Sequence, residues 1–492
     1  MTFFNLREYL RHIDRTGDLA HITEPVSRDL EITEITDRVM KGPAAKNKAL
    51  LFENVPGFDM PVAINLFGSA RRMAAALGVD DLEDLHHRLA KLVDFRLPQG
   101  LGPMLDRAGG LLEVLRGIGL GPTLVRHGPC QELVETEHPN VNTLPVLKCW
   151  PGDGGRFITL MQVITRDPLS RARNVGMYRV QIVDDQTLIV HWQRHKGGAE
   201  HERRAREAEA ATARSARIPA AIVLGGDPAS MWCASAPLPP NIDEYLLAGW
   251  LRGRPVEFVK CVSQPLEVPA QAEIVIEGYV DPNEHLPEGP FGDHTGYYTP
   301  VEPFPVFHIT AITRRKNAIY PTTIVGVPPA EDVFMGKATE RLFLPLLRIF
   351  LPEILDYHMP PEGVFHNLVI VKIRKRFPGH ARKVIFGMWG LGLLMLAKAI
   401  VVVDEWVDVH NLSQVAWQAL GNVDWSKDIV VVEGAVDHLD HASYRHSFGG
   451  KIGLDATAKT ADEGYPRGWP EVARMSADVK RRVDDLWTKL GL

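Results

Sequence analysis

The segment Glu284-His-Leu-Pro-Glu288-Gly-Pro-Phe-Gly-Asp293-His294-Thr-Gly-Tyr297-Tyr298 sets carboxylates, histidines and two tyrosines around a stiff Gly-Pro-Phe-Gly turn. Two acids five apart on a bent loop can converge on one cavity. There, mutual repulsion and desolvation would raise one pKa and leave that group holding a transferable proton. An acidic turn of this composition is equally an ordinary solvated loop, so Glu288 and Asp293 need partners from elsewhere.

Three other stretches offer partners. Arg173-Asn174-Val-Gly-Met177-Tyr178-Arg179 places arginines on a strand, and a strand arginine can grip a carboxylate bidentately or simply face solvent. Asn174 lies five residues before Arg179, so a regular strand points the two to opposite faces, and only a bend brings them into one site. Ile189-Val-His191-Trp192-Gln193-Arg194-His195-Lys196-Gly197-Gly198 gathers imidazoles, an indole and cations before a Gly-Gly turn, a composition suited to a phosphate or a metal. Glu244 opens a helix, where an acid also serves the helix dipole. Asn, His and Glu together form an N/O ligand set for Mn²⁺ or Mg²⁺. Asp437-His438-Leu-Asp440-His441 looks metal-like but lacks zinc spacing, and is read as a surface loop or subunit contact. No dinucleotide or P-loop glycine motif occurs.

The rest of the chain must position these groups. Its 492 residues exceed what one core organises. The net charge of −6 argues against a nucleic-acid footprint. Cys130, Cys149, Cys233 and Cys261 have no C-x-x-C spacing, and the N-terminus has no signal-peptide core. A cytoplasmic location with buried, inert thiols is expected. Residues 384–403 (VIFGMWGLGLLMLAKAIVVV) have the length of a membrane span, but three glycines and Lys398 favour a helix running into a buried strand.

Apolar spacing predicts a helix over 5–15 with Leu6, Tyr9, Leu10 and Ile13 inward, strands at 49–55 and 61–68, and helices at 70–77 and 82–93. Pro98, Gly100, Gly102 and Pro103 mark a boundary. From 122 to 314 many short strands with little helix predict a barrel or split barrel, with helical exceptions at 200–216 and 242–251. In that region alternation sets Tyr178, Val180 and Ile182 opposite Met177, Arg179 and Gln181. Beyond Pro328-Pro329, a helix over 336–350 and the strands NLVIVKI, AIVVVDE and DIVVVEG predict a parallel α/β sheet. A charged amphipathic helix ends the chain.

Taken in order, Trp150-Pro-Gly-Asp-Gly-Gly155, Arg173-Asn-Val-Gly-Met-Tyr-Arg179, His191-Trp-Gln-Arg-His-Lys196, Glu288-Gly-Pro-Phe-Gly-Asp-His294 and Gly450-Lys-Ile-Gly-Leu-Asp-Ala-Thr457 resemble the UbiD family of prenylated-FMN-dependent decarboxylases along nearly the whole chain. The resemblance implies an α/β N-terminal region (1–118), a split β-barrel flavin domain (119–325) and a C-terminal α/β oligomerisation domain (326–492). It implies Asn174, His195 and Glu244 as Mn²⁺ ligands with K⁺ nearby. Met177, Tyr178, Arg179, His191, Trp192, Gln193, Lys196 and Gly197 would line the prenylated FMN. Arg179 would hold the substrate carboxylate, Glu288 would share its hydrogen bonds, and Asp293 would protonate the carbon left by CO₂.

Asp293 departs from the ferulic-type branch and resembles the quinone and hydroxybenzoate branches, while His191 and Gln193 depart from the polyprenyl enzyme and resemble the hydroxyarene and menaquinone-synthesis branches. The resemblance therefore favours a reversible decarboxylase of a hydroxyaryl acid, with 1,4-dihydroxy-6-naphthoate as the sharpest candidate or else a phenolic acid. Against it stand 4-hydroxy-3-polyprenylbenzoate decarboxylation, which would need a long apolar tunnel beside Glu288, and a non-catalytic flavin-binding oligomer. Implied partners are a small aromatic acid, a flavin prenyltransferase as cofactor supplier and further copies of the chain (dimer to hexamer), with neither nucleic acid nor a transmembrane segment.

Overall fold

Asn5 caps the helix Leu6–Arg15 by accepting the Glu8 N–H, and Leu6, Tyr9, Leu10 and Ile13 bury one face, as their spacing predicts. The computed structural model describes residues 1–93, 121–193, 197–212, 217–239 and 242–491. The boundary glycines and prolines at 98–103 lie outside them, as do Arg194, His195 and Lys196.

The first helix packs on a sheet ordered Leu19–Ile22, Ala49–Phe52, Val62–Ile64, Tyr320–Pro321. The expected strands at 49–55 and 61–68 are thus shorter than their apolar runs. The last strand, more than 250 residues away in sequence, ties this sheet to the end of the central region. The helices Ala70–Ala76 and Glu83–Val93 form as expected.

The central region is one nine-stranded sheet with the path Phe157–Ile158, Val180–Ile182, Thr187–Val190, Glu302–Arg314, Ala272–Glu288, Ile218–Gly225, Met161–Arg166, Arg173–Gly176; Leu133–Glu135 adds to the side of Glu302–Arg314. Connectivity dictates its curvature. Phe157–Ile158 and Met161–Arg166 stand six places apart, ~29 Å in a flat sheet at ~4.8 Å per strand. Yet only Thr159 and Leu160 join them, a reach of ~11 Å. The sheet must therefore curl back on itself. The three residues Met177-Tyr178-Arg179 likewise cross from Arg173–Gly176 at one end of the path to Val180–Ile182 near the other. This is a split barrel whose opening is crossed by the segment carrying Arg179.

The strand Ala272–Glu288 runs six residues beyond the apolar stretch that announced it, bending where its register slips between Asp281 and His285. Glu288 is therefore the last residue of a strand, paired with Glu302, rather than a loop residue.

The helix Glu331–Phe350 joins two cores. Met335, Ala338 and Leu342 pack with the N-terminal and central residues, while Leu344 and Leu347 pack beneath the C-terminal sheet. That sheet runs Ile354–His358, Leu368–Ile373, Ala399–Asp404, Phe448–Asp455, Ile429–Ala435. The inner three strands are parallel, and both edges are antiparallel. The expected all-parallel arrangement fails because Ile429–Ala435 pairs with Phe448–Asp455, the strand holding Gly450-Lys-Ile-Gly-Leu-Asp, and is pushed to the edge. Residues 384–403 form the helix His380–Trp389, a 3₁₀ turn and the buried strand Ala399–Asp404. Among the described residues no helix is long and apolar enough to cross a membrane. The terminal helix is Ala477–Leu490. All four cysteines are unpaired, three fully buried, and burial pushes the Cys130 thiol up to about 12.

Candidate active site

Because Met177, Tyr178 and Arg179 leave the sheet to cross the barrel's opening, Arg179 turns inward with its side chain only 8% exposed. Its guanidinium forks onto Glu288 (Nε to Oε1 2.6 Å, Nη2 to Oε2 2.9 Å), while Nη1 donates to Asp293 Oδ2 and Nη2 to Thr299 Oγ1 at 3.3 Å. Arg179 and the two acids, more than a hundred residues away in sequence, therefore form one unit, with the bidentate geometry that arginine favours toward Glu288. Phe291 lies beneath the guanidinium, 5.0 Å from its carbon.

The turn between the acids is held by Trp150-Pro-Gly-Asp-Gly-Gly155. Buried Asp153 accepts Gly292 N–H through Oδ1 (2.8 Å) and Trp150 and Cys149 N–H through Oδ2 (2.8 and 3.1 Å). Gly154 N–H donates to Pro290 O at 2.7 Å. The approach is too close for side chains: a Cβ on Gly154 would stand 2.1 Å from Gly289 O, and one on Gly292 2.3 Å from Trp150 Cδ1. Gly289 adopts φ +97°, open only to glycine, and donates its N–H to Gln181 at 2.8 Å.

Burial alone would raise both carboxyls. For Glu288 it is outweighed by hydrogen bonds from Arg179 and His191 and by the guanidinium charge, which hold it at about 2. For Asp293 it is outweighed by the His294 hydrogen bond and the Arg179 charge, which hold it well below the usual carboxylate range. His191 bonds Glu288 through Nδ1 at 3.2 Å. Burial, then the Arg179 charge, keeps it a neutral imidazole.

Arg179, His191 and Asp293 face a cavity of about 560 Å³ between the barrel and the C-terminal region. Met177, Tyr178 and Gln193 line it from the barrel side. Met335, Phe343, Leu346 and Phe350 line it along one face of the helix Glu331–Phe350. Trp192 packs edge-on behind Tyr178, away from the cavity wall.

A second cluster lies beside the strand Arg173–Gly176. Glu244 accepts Val175 N–H at 3.1 Å, and Asn174 Nδ2 reaches Tyr178 OH at 3.4 Å. Tyr178 OH also accepts Gly198 N–H from the start of the helix Gly197–Thr212. A Cβ on Gly197 would stand 1.9 Å from Asn174 Oδ1, so this helix start closes tightly on the cluster. The break at Met177–Arg179 is the bend that brings Asn174 and Arg179 to adjoining clusters. Burial pushes Glu244 up to about 7, and among the described residues it has no ion-pair partner. A buried acid, an amide and a helix N-terminus fit a cation together with a phosphate. His195 and Lys196, assigned to metal and cofactor, fall outside the described residues.

Sequence reasoning missed several residues. Asp437-His438-Leu-Asp440-His441 is not a mere surface loop: Asp437 lines the cavity, and the His438 ring lies 5.6 Å from His191 while its Nε2 bonds Glu302 at 3.0 Å. Nothing local could reveal this, because the contact joins residues almost 250 apart. His294, quoted without a role, bonds Asp293 Oδ1 through Nδ1 (2.8 Å) and His366 Nε2 through Nε2 (2.9 Å).

A buried arginine shared by two acids on an apolar cavity has the chemistry to hold a carboxylate and move a proton. Models of 3-octaprenyl-4-hydroxybenzoate carboxy-lyase match over residues 10–92 (N-terminal domain), 123–328 (Rift-related domain) and 333–456 (C-terminal domain). A protein of Aquifex aeolicus described only as uncharacterized is 49% identical over 99% of both chains. Vanillic acid decarboxylase of Sedimentibacter hydroxybenzoicus in its closed form superposes with TM-score 0.86 at 26% identity over 99% of both chains, and its open form with 0.79. The UbiD-class enzyme HmfF of Pelotomaculum thermopropionicum, in complex with FMN, gives 0.78 at 27% identity over 98% of this chain and 99% of its own. The chain belongs to the UbiD family of carboxy-lyases.

Proposed function

We propose that this enzyme reversibly decarboxylates a hydroxyaryl carboxylic acid with a bound prenylated FMN. The observation that carries the reading is Arg179, a buried cation shared between Glu288 and Asp293 on the wall of an apolar cavity. Asn174 and Glu244, with His195, would hold a Mn²⁺ that ties the flavin phosphate to the start of the helix Gly197–Thr212, with K⁺ beside it. The flavin would supply the sink for the electron pair left when CO₂ departs. The chain's own residues do the rest. Arg179 orients the substrate carboxylate, Glu288 fixes the guanidinium plane, and Asp293 delivers a proton to the ring carbon. The apolar walls limit water around the developing charge.

A hydroxynaphthoic acid such as 1,4-dihydroxy-6-naphthoate is the first candidate substrate and a smaller phenolic acid the next. The apolar face Met335–Phe343–Leu346–Phe350 favours a second reading, in which it receives the tail of a 4-hydroxy-3-polyprenylbenzoate. Its helical spacing extends ~22 Å along the axis. The flavin would come from a flavin prenyltransferase. Trp487, Leu486 and Leu490 lie exposed on the terminal helix and support assembly with further copies of the chain.

Co-expression with a flavin prenyltransferase, followed by CO₂ release from 1,4-dihydroxy-6-naphthoate, 4-hydroxybenzoate and 4-hydroxy-3-prenylbenzoate, tests the reading. Preference for the naphthoate supports the first candidate, and preference for the prenylated acid the second. Failure on all three removes the proposal.

A further inference from the structure

Decarboxylation consumes a proton: an aryl carboxylate plus H⁺ gives an arene and CO₂. Asp293 as found is poorly equipped to supply it. Its Oδ2 faces the Arg179 guanidinium, and its Oδ1 accepts both the backbone N–H and the imidazole Nδ1 of His294. Every contact favours the carboxylate, so a proton must reach it from a neighbour within hydrogen-bond distance.

We propose that His294, held in register by His366, stores the proton that Asp293 delivers and hands it over in each turnover. The proposal rests on the decarboxylase reading above and concerns residues that reading leaves without a role. The His294 ring touches both Asp293 and His366, and only one proton can lie between the two Nε2 atoms, 2.9 Å apart. A doubly protonated His294 satisfies both contacts at once, donating Nδ1–H to Asp293 and Nε2–H to a neutral His366. Phe365 stacks on the other side of the ring at 5.2 Å. The turn presenting Phe365 and His366 places Val364 and Phe365 at φ +51° and +45°, left-handed backbone that bulky residues seldom adopt.

The surrounding charges agree. Burial lowers His294, but the Asp293 hydrogen bond and charge, with Asp332 on the helix Glu331–Phe350 and Asp437 on the C-terminal loop, outweigh it and raise the ring's pKa. Burial and the charge of His294 lower His366. The carboxylates of Asp293, Asp332 and Asp437 thus face the ring from three segments, with Arg179 beyond Asp293 as the opposing cation.

The Nδ1–H bond of His294 breaks, its proton moves to the Asp293 carboxylate at Oδ1, and the electron pair stays on Nδ1. The carboxyl so formed gives that proton to the ring carbon, whose electron pair becomes the C–H bond, and Asp293 returns to the carboxylate. A proton taken up from solvent as product leaves restores Nδ1–H and is the one proton the decarboxylation consumes. His366 never touches the substrate and is a positioning residue.

The test is His294→Asn in the holoenzyme, since asparagine keeps a donor toward Asp293 but carries no transferable proton. On the acid that the wild-type enzyme turns over, kcat should fall roughly 100-fold with KM unchanged. The alkaline limb of the kcat profile should vanish, and added imidazole should restore part of the rate. His366→Gln, which keeps a hydrogen-bond acceptor, should retain more activity than His294→Asn and move the alkaline limb to a different pH. An independent readout uses the cofactor-free protein: ¹⁵N-histidine spectra, with His294 assigned by its loss in the variant, should show a doubly protonated ring at neutral pH. Wild-type kcat with an intact alkaline limb in His294→Asn, or a neutral His294 ring in those spectra, would overturn the proposal. Were the wild-type enzyme inert on every aryl acid, the decarboxylase reading would fail, while the spectra would still decide the state of His294.

Discussion

Replacing Arg179 with methionine, which keeps length but removes charge, leaves two buried acids facing each other. The structure supplies the scale. Glu288 sits at about 2 beside Arg179, against an ordinary 4.5, a gap worth about 3 kcal/mol at neutral pH. Glu331, buried and among the described residues without a basic partner in contact, shows where such a carboxyl moves: burial takes it to about 7. Glu288 in the variant would turn from stabilising to destabilising, reversing a term of similar size. Water entry relaxes part of this, so a loss of about 3–5 kcal/mol is expected near pH 7.5, the range for breaking one side of a buried ion pair.

The sign of the pH dependence is the sharper test. In the wild type the depressed carboxyl stabilises at every pH above the unfolded value of 4.5 and loses its effect only as pH falls toward about 2. In the variant the raised carboxyl costs least when protonated, so stability recovers on acidification. The difference between the two proteins should narrow by ~2 kcal/mol between about pH 7.5 and about pH 5. Urea unfolding followed by tryptophan fluorescence at the two pH values measures it. Adding Glu288→Gln to the variant should return part of the loss, because a neutral amide replaces the stranded charge. A pH-independent difference, or a double variant less stable than the single, would refute the reasoning.

Other perturbations act on the supports of the site. Asp153→Asn turns an amide N–H₂ toward backbone donors, either Gly292 or Trp150 and Cys149, and should cost ~2–3 kcal/mol in thermal or urea unfolding. By displacing the acid-bearing turn it should also slow CO₂ release ~100-fold. Gly292→Ala drives a methyl into the Trp150 ring and should destabilise by ~1–3 kcal/mol, read in the same unfolding assay. Chelation should release flavin from the wild-type holoenzyme, with Mn²⁺ restoring retention. Glu244→Gln should fail to retain flavin at any Mn²⁺ level, as absorbance after desalting will show.

The elements with strict periodicity were legible in the sequence: the helix Leu6–Arg15 declares its buried face, and the run at 384–403 resolves into helix and strand. So were the groups of the centre, because Arg179, Glu288 and Asp293 sit in motifs whose family resemblance names their roles. That Glu288 ends a strand was not legible, since Pro282, Pro287 and the polar Asn283-Glu284-His285 mask a strand whose register is set by Glu302–Arg314 across the sheet. Asp153 looked like one acid in a glycine-rich turn, because its partners are backbone N–H groups that sequence does not display. The surroundings of His294 and Asp437 stayed hidden for a different reason: both depend on the packing of the C-terminal region against the barrel. The mixed order of the C-terminal sheet follows from a long-range pairing that apolar runs cannot encode.

In the proposed reaction Arg179, Glu288 and Asp293 decarboxylate an aryl acid, with Asp293 delivering the proton to carbon. Holoenzyme incubated with 1,4-dihydroxy-6-naphthoate or a hydroxybenzoate in D₂O, with product analysed by mass spectrometry, tests it most directly. CO₂ release is expected with a single deuterium on the carbon that carried the carboxylate, and neither product nor ring exchange from Asp293→Asn. Deuterium incorporation by Asp293→Asn at the wild-type rate would contradict it.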